Sequence, residues 1–125
     1  MALKKILIVD DEVGFTKLVQ LNLEKTGKYD VRIVNQGAFG LTAAKEFEPD
    51  LIFLDIIMPD MAGSDVALQL KEDEHTKNIP IVFLTAIVRE EELRTSGSII
   101  GGYPFIAKPV SLHVLLDTID KILGK

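Results

Sequence analysis

Short segments of continuously apolar residues are the dominant pattern along this chain. Residues 51–54 and 81–84 contain apolar side chains only, as do residues 5–9 after a leading lysine. These segments lack the alternation of apolar and polar positions that a strand with one solvent-exposed face shows, and they are too short for helices. The pattern therefore predicts strands that are buried on both faces, which are typical of parallel sheets covered by helices.

Two further segments complete the predicted sheet. Residues 29–34 place Tyr29, Val31 and Ile33 on one face of a strand, and residues 101–107 predict a last, short strand. Pro104 favours an edge position for that strand, because proline cannot donate a hydrogen bond to a neighbouring strand. Between and after these strands, the sequence predicts helices over residues 13–25, 38–47, 64–71, 89–94 and 112–123. Alternating strands and helices predict an α/β fold with a doubly wound, five-stranded parallel sheet.

Polar residues follow each predicted strand at its carboxyl end. In an open parallel sheet these ends share one edge, and ligands bind at that edge. We therefore expect the side chains in these positions to converge. They are Asp10 and Asp11, Asn35, Asp55, Thr85 and Lys108.

Length, charge and cysteine content narrow the class of protein. A chain of 125 residues has the size of one domain, so we expect residues 1–125 to form a single unit. The net charge of -5 argues against a nucleic-acid surface or an anionic-membrane patch. The absence of cysteine excludes disulfides, thiolate catalysis and zinc-thiolate sites. The lack of a long apolar stretch or a secretory leader predicts a soluble, cytoplasmic protein.

The converging acidic residues indicate a cation site. Two unit charges about 4 Å apart repel by roughly 4 kcal/mol at an effective dielectric constant of about 20, so Asp10, Asp11 and Asp55 need protons or a cation. Carboxylate oxygens are hard ligands, which favours Mg²⁺. A lysine and a threonine beside such a cluster are typical of phosphoryl transfer. Because the chain has no nucleotide-binding glycine loop, we expect a protein nucleophile, and Asp55 is the best candidate.

The conjunction of motifs resembles a known family. Asp10-Asp11, Asp55 followed by Met58-Pro59 and Gly63, Thr85-Ala86 and Lys108-Pro109 stand in the order found in receiver domains of two-component response regulators. The chain is similar to the stand-alone chemotaxis-type regulators, and the resemblance extends from Ile6 to Leu123. It implies a flavodoxin-like fold with strand order 2-1-3-4-5.

The resemblance also implies a role for each site residue. Asp55 would accept a phosphoryl group from a sensor histidine kinase or a histidine phosphotransfer protein. Lys108 and Thr85 would bind the phosphoryl oxygens, and Thr85 and Phe105 would form the switch. Phe105 stands where many members carry tyrosine, so a hydroxyl-dependent contact is lost there. The Mg²⁺ ligands would be Asp10, Asp11, Asp55 and the backbone carbonyl of Ile57.

Signal output in the family uses the face formed by the fourth helix, the last strand and the last helix. The resemblance therefore implies that a downstream target or output domain binds this face, and a phosphorylation-dependent dimer is compatible with it. We expect no direct contact with nucleic acid or membrane. Self-catalysed phosphorylation and dephosphorylation would be the protein's only reactions, so we do not expect an enzyme in the metabolic sense.

Two other interpretations remain. A Mg²⁺-dependent phosphatase of the haloacid-dehalogenase kind also uses an aspartate at a strand end, but it needs a second aspartate at the position of Ile57. A pseudo-receiver that works without phosphorylation is less favoured, because every acidic-pocket residue is present. Separately, Ile57 and Ile87 are bulky apolar residues that could hinder an attacking water, which predicts slow self-dephosphorylation.

Overall fold

Strands and helices alternate over residues 4–85, as the apolar segments predict. The computed structural model describes residues 3–86, 99–100 and 103–124. The elements are β1 (Lys4–Val9), α1 (Val13–Lys25), β2 (Tyr29–Val34), a 3-10 turn (Gly37–Phe39), α2 (Gly40–Phe47), β3 (Leu51–Asp55), α3 (Gly63–Glu72), β4 (Ile81–Thr85), β5 (Ile99–Ile100), β6 (Tyr103–Ala107) and α4 (Leu112–Leu123). The predicted helix at residues 89–94 and the predicted role of Ile87 lie outside the described residues.

The sheet has the predicted parallel order. Its strands lie side by side as β2-β1-β3-β4-β6-β5, and the β2-β1, β1-β3, β3-β4 and β4-β6 pairs are parallel. The predicted five-stranded order 2-1-3-4-5 is therefore confirmed, with β6 as the fifth parallel strand. The predicted edge position of β6 was wrong, because the two-residue β5 pairs with the first residues of β6, Tyr103 and Pro104, in antiparallel fashion.

The core consists of two apolar layers, one on each face of the sheet. Alternate residues of β3 point to opposite layers: Ile52 and Leu54 pack with residues of α2 and α3, whereas Leu51 and Phe53 pack with residues of α1 and α4. All five residues of β3 are buried, as are all five of β4. Burial on both faces explains the continuous apolar segments in the sequence.

Each helix contributes one apolar stripe to these layers. In α1 the buried residues are Thr16, Val19 and Leu23, and in α4 they are Leu115 and Ile119. Such spacing places one face of each helix against the sheet and the other in solvent. Within the described part of the chain, every helix is too short or too polar to cross a membrane.

Candidate functional site

Three carboxylates meet at the carboxyl edge of the central strands. Asp10 follows β1 and Asp55 ends β3, and these strands are paired with Val9 opposite Leu54. Ligand oxygens of Asp10, Asp11 and Asp55 all lie within 4.8 Å of one another. Asp10 and Asp55 are buried, with exposed fractions of 0% and 5%, while Asp11 is partly exposed. The predicted convergence of these acidic residues is confirmed.

The cluster fits a hard divalent cation. Among the described residues, Asp10 Oδ2 is the one buried side-chain oxygen or nitrogen that has no hydrogen-bond partner. The Lys108 Nζ atom lies 2.7 Å from it, which is an ion-pair distance, but this contact does not have the angles of a hydrogen bond. A buried, anionic oxygen in this state retains a lone pair for another ligand. A cluster that offers carboxylate oxygens suits Mg²⁺, a hard cation that prefers oxygen ligands and keeps several waters.

Burial and mutual repulsion raise the pKa values of the two buried carboxyl groups. Burial, together with the charge of Asp10, raises the pKa of Asp55 to about 7, even though the charge of Lys108 acts in the opposite direction. Burial likewise raises the pKa of Asp10, although the nearby Lys108 ammonium and the hydrogen bond from the Glu12 N–H lower it. Without a metal ion, Asp55 therefore takes up a proton near neutral pH, and a bound cation would replace that proton.

Lys108 is the cation that the described structure brings to the acidic cluster. Its Nζ atom lies 2.6 Å from Glu12 Oε1, 2.7 Å from Asp10 Oδ2 and 3.9 Å from Asp55 Oδ2. It also lies 4.5 Å from the centre of the Phe15 ring, within the range of a cation–π contact. Burial lowers the pKa of Lys108, but the close contacts with the Asp10 and Glu12 carboxylates outweigh it and raise the pKa overall. Lys108 is therefore a permanent positive charge in this site.

Backbone and amide hydrogen bonds hold these groups in place. The Lys108 N–H donates to the Thr85 carbonyl at 2.7 Å, which fixes the end of β6 beside the end of β4. The Asn35 amide donates to the Asp10 carbonyl at 2.8 Å and to the Thr16 hydroxyl at 3.1 Å. Asn35 thus contributes to the site by fixing the Asp10 backbone.

Thr85, Phe105 and Ile57 occupy different environments. Thr85 is buried at the end of β4, and Phe105 is buried in the layer that contains Phe83, its neighbour in the register of β4 and β6. Ile57 is 59% exposed, and it follows Asp55 by two residues.

The loop after β3 depends on a glycine. A Cβ atom at Gly63 would overlap the carbonyl oxygen of Asp55 and would lie 2.8 Å from Ile56 Cα. The Gly63 N–H donates to the Ile56 carbonyl at 2.7 Å, so the start of α3 is pressed against the end of β3. Glycine is required here because the two backbone segments touch.

Asp60 fastens the same loop to the turn before α2. Its carboxylate accepts hydrogen bonds from the Gly37 N–H at 3.1 Å and the Ala38 N–H at 3.0 Å. These bonds, first that from Ala38, lower the pKa of Asp60. The loop that carries Ile57 is therefore tied to β3 at one end and to the α2 turn at the other.

Sequence reasoning missed two side chains that touch Lys108. Glu12 extends the acidic stretch begun by Asp10 and Asp11, and nothing in the stretch alone separates it from them. In the sequence, Phe15 is one of several apolar positions of α1, and nothing marks it as a contact of Lys108. The signal that singles out Glu12 is its place directly before α1, where a side chain at the helix entrance faces the carboxyl edge of the sheet.

Comparisons with known proteins agree with this geometry. The family model described as the response regulator receiver domain matches residues 6–120. The polar-differentiation response regulator DivK of Brucella ovis is 34% identical over 124 residues, covering 97% of each chain. The dual master transcriptional regulator RpaA of a Synechocystis species is 34% identical over 121 residues, which are 97% of this chain, and the match spans 49% of that protein.

A solved structure shares the whole architecture. The chemotaxis protein CheY4 of Vibrio cholerae superposes with a TM-score of 0.83 at 28% identity, covering 97% of this chain and 99% of that one. The same order of strands and helices is therefore present in a protein of the chemotaxis type.

Proposed function

Because this chain belongs to the response regulator receiver domain family, a family of signalling domains of two-component systems, we propose that Asp55 is its phosphoacceptor. The observation that carries the proposal is the arrangement around this residue. Its carboxylate is buried beside those of Asp10 and Asp11, and the Lys108 ammonium lies 3.9 Å away. A nucleophilic carboxylate with a cation on one side and a metal-binding cluster on the other is suited to phosphoryl transfer.

The reaction transfers a phosphoryl group from a phosphohistidine to this carboxylate. An Asp55 oxygen forms a bond to phosphorus while the phosphorus–nitrogen bond of the donor breaks, and the electron pair stays on the imidazole nitrogen. The attacking carboxylate must be unprotonated, whereas burial raises the pKa of Asp55 to about 7. Lys108 offers positive charge to the phosphoryl oxygens, and the Thr85 hydroxyl offers a hydrogen bond.

Mg²⁺ is the proposed cofactor. Asp10, Asp11 and Asp55, with the backbone carbonyl of Ile57, would hold it, and the unsatisfied Asp10 Oδ2 supports this assignment. When bound, the ion supplies positive charge that lowers the cost of keeping Asp55 ionised and of accumulating charge on the transferred group. The ligand set contains oxygen atoms only, which is the preference of this ion.

We propose that phosphorylation changes the surface near Thr85 and Phe105. A phosphoryl oxygen would draw the Thr85 hydroxyl inward, and Phe105 would move with it. A downstream target or output domain would then bind the face formed by β6, by α4 and by the helix that the sequence predicts at residues 89–94. Order–disorder and packing changes of this kind are a common switching device.

The remaining assignments follow from the same proposal. Residues 1–125 would form one receiver domain in the cytoplasm, and a sensor histidine kinase or a histidine phosphotransfer protein would be the donor. Self-catalysed phosphorylation and dephosphorylation would be its reactions. The phosphatase interpretation is not favoured, because Ile57 stands where that chemistry needs a second aspartate.

Intact-mass measurement tests the phosphoacceptor. The protein is incubated with Mg²⁺ and acetyl phosphate, and a single phosphoryl adduct is expected for the wild type. The Asp55→Asn variant and the wild type in chelator should show none, whereas Asp65→Asn, which changes an exposed carboxylate in the first turn of α3, should behave like the wild type. An adduct that persists in Asp55→Asn would overturn the assignment.

A further inference from the structure

The Lys108 ammonium is held by two carboxylates, one of which lies outside the metal-binding cluster. Its Nζ atom donates a hydrogen bond to Glu12 Oε1 at 2.6 Å and lies 2.7 Å from Asp10 Oδ2, whereas Asp55 Oδ2 is 3.9 Å away. The Lys108 side chain is only 10% exposed, and the Phe15 ring lies 4.5 Å from the ammonium. The charge that is expected to meet the phosphoryl group is therefore already engaged elsewhere.

Glu12 is well placed to hold this cation and to release it. Its backbone is fixed at the start of α1, because its N–H donates to Asp10 Oδ1 at 2.9 Å and its carbonyl accepts from the Thr16 N–H at 3.0 Å. Its side chain makes no capping hydrogen bond to the helix and is 59% exposed. Release of Lys108 would return the Glu12 carboxylate to water, so the Glu12 side of this ion pair would not become a buried, unpaired charge.

We propose that Glu12 is a positioning residue that holds Lys108 in a resting position and competes with the phosphoryl group for its ammonium. The proposal rests on the phosphoacceptor role proposed for Asp55. An ammonium has three N–H donors, and the Glu12 hydrogen bond occupies one of them. When Lys108 turns toward a phosphoryl oxygen, Glu12 loses its partner in the groove between α1 and α4, which both residues line.

Direct competition by Glu12 requires both its negative charge and the length of its side chain. Replacement of Glu12 by aspartate keeps the negative charge but shortens the side chain by one methylene, about 1.5 Å. Because the hydrogen bond is 2.6 Å long in the wild type, the shortened carboxylate no longer reaches Lys108. A competition by direct contact is therefore lost in Glu12→Asp, whereas a long-range effect of charge is kept.

The experiment measures binding of beryllofluoride, a phosphoryl mimic, at saturating Mg²⁺ by calorimetry. Glu12→Gln and Glu12→Asp should both bind it about three- to fivefold more tightly than the wild type, the range expected for an ion pair with one exposed partner. Asp65→Asn controls for net charge and should bind like the wild type. In the wild type, the NMR signal of the Glu12 side-chain carboxyl carbon should shift on addition of the mimic, because Lys108 leaves it.

The outcomes separate this inference from the proposed function. A wild type that does not bind beryllofluoride would refute the phosphoacceptor site itself. A wild type that binds it, with Glu12→Asp unchanged and Glu12→Gln tighter, would show a long-range charge effect and overturn the competition. Weaker binding in both Glu12 variants would show that Glu12 assists Lys108, and would overturn it as well.

Discussion

Replacement of Asp55 by asparagine should stabilise the metal-free protein at alkaline pH. Asp55 is 5% exposed, and burial with the nearby charge of Asp10 raises its pKa from 3.8 to about 7. Folding therefore carries a cost once the carboxylate is ionised, and a neutral amide of the same shape removes that cost. The site is expected to be poorer for function and better for stability in the same variant.

The magnitude follows from the size of the pKa shift. A shift from 3.8 to about 7, at about 1.36 kcal/mol for each pKa unit, sets a ceiling of roughly 4 kcal/mol. Solvent at the open edge of the sheet and relaxation of Lys108 reduce this value, so we expect a gain of about 2 kcal/mol. Because the folded-state pKa is raised, the wild type loses stability as pH rises from about 4 to about 7, and the difference between the two proteins grows over the same range.

Urea denaturation in the presence of chelator measures the effect. Wild type and Asp55→Asn are compared at pH 8, where the full difference is expected, and at pH 4, where Asp55 is protonated in the native wild type. Addition of Mg²⁺ at pH 8 should stabilise the wild type more than the variant, because it neutralises the cluster. Equal stabilities at pH 8, or the same gain at both pH values, would refute the account of a buried charge.

Three further changes test other parts of the site. Gly63→Ala should lower the free energy of unfolding by about 3 kcal/mol in urea denaturation, because the added Cβ meets backbone rather than a movable side chain. The control is Gly14→Ala in α1, where no atom lies within 4 Å of the added Cβ, and it should not lower the free energy of unfolding. Asp60→Asn should destabilise the protein at neutral pH, and a pH series should show the difference vanish as pH falls through the depressed pKa of Asp60, because that carboxylate contributes only when ionised. Ile57→Asn should shorten the lifetime of the phosphorylated protein several-fold, followed by intact mass after removal of the donor, because the exposed Ile57 side chain would no longer hinder water; an unchanged lifetime would reject that role.

The fold was predictable because the central strands have an unambiguous signature. Residues 51–54 and 81–84 are apolar at every position, which only burial on both faces explains, and the polar residues after them mark the functional edge. The two-residue β5 was missed because a pairing that short leaves no periodicity in the sequence. Its partner β6 was therefore placed at the outer edge.

The residues of the site that follow directly after a strand were predictable from the sequence. Asp10, Asp55 and Lys108 come together because the parallel strands that carry them do. The position of Glu12 before α1 indicates that it lies at this edge, but its contact with Lys108 was not predictable, because no spacing in the sequence encodes distances of 2.6 Å to Glu12 and 3.9 Å to Asp55. The same holds for the Asn35 amide, whose role depends on where the Asp10 carbonyl points.

The division of the interior by the sheet determines how substitutions combine. Phe53 and Leu54 are adjacent in the chain, yet their side chains belong to separate apolar layers on opposite faces of the sheet. Truncations on one face should add to truncations on the other in double-mutant cycles, whereas pairs within one face should not, because only the latter reshape a common cavity. The two faces can therefore accumulate sequence changes independently, with the strand backbones that end at the acidic cluster as their shared constraint.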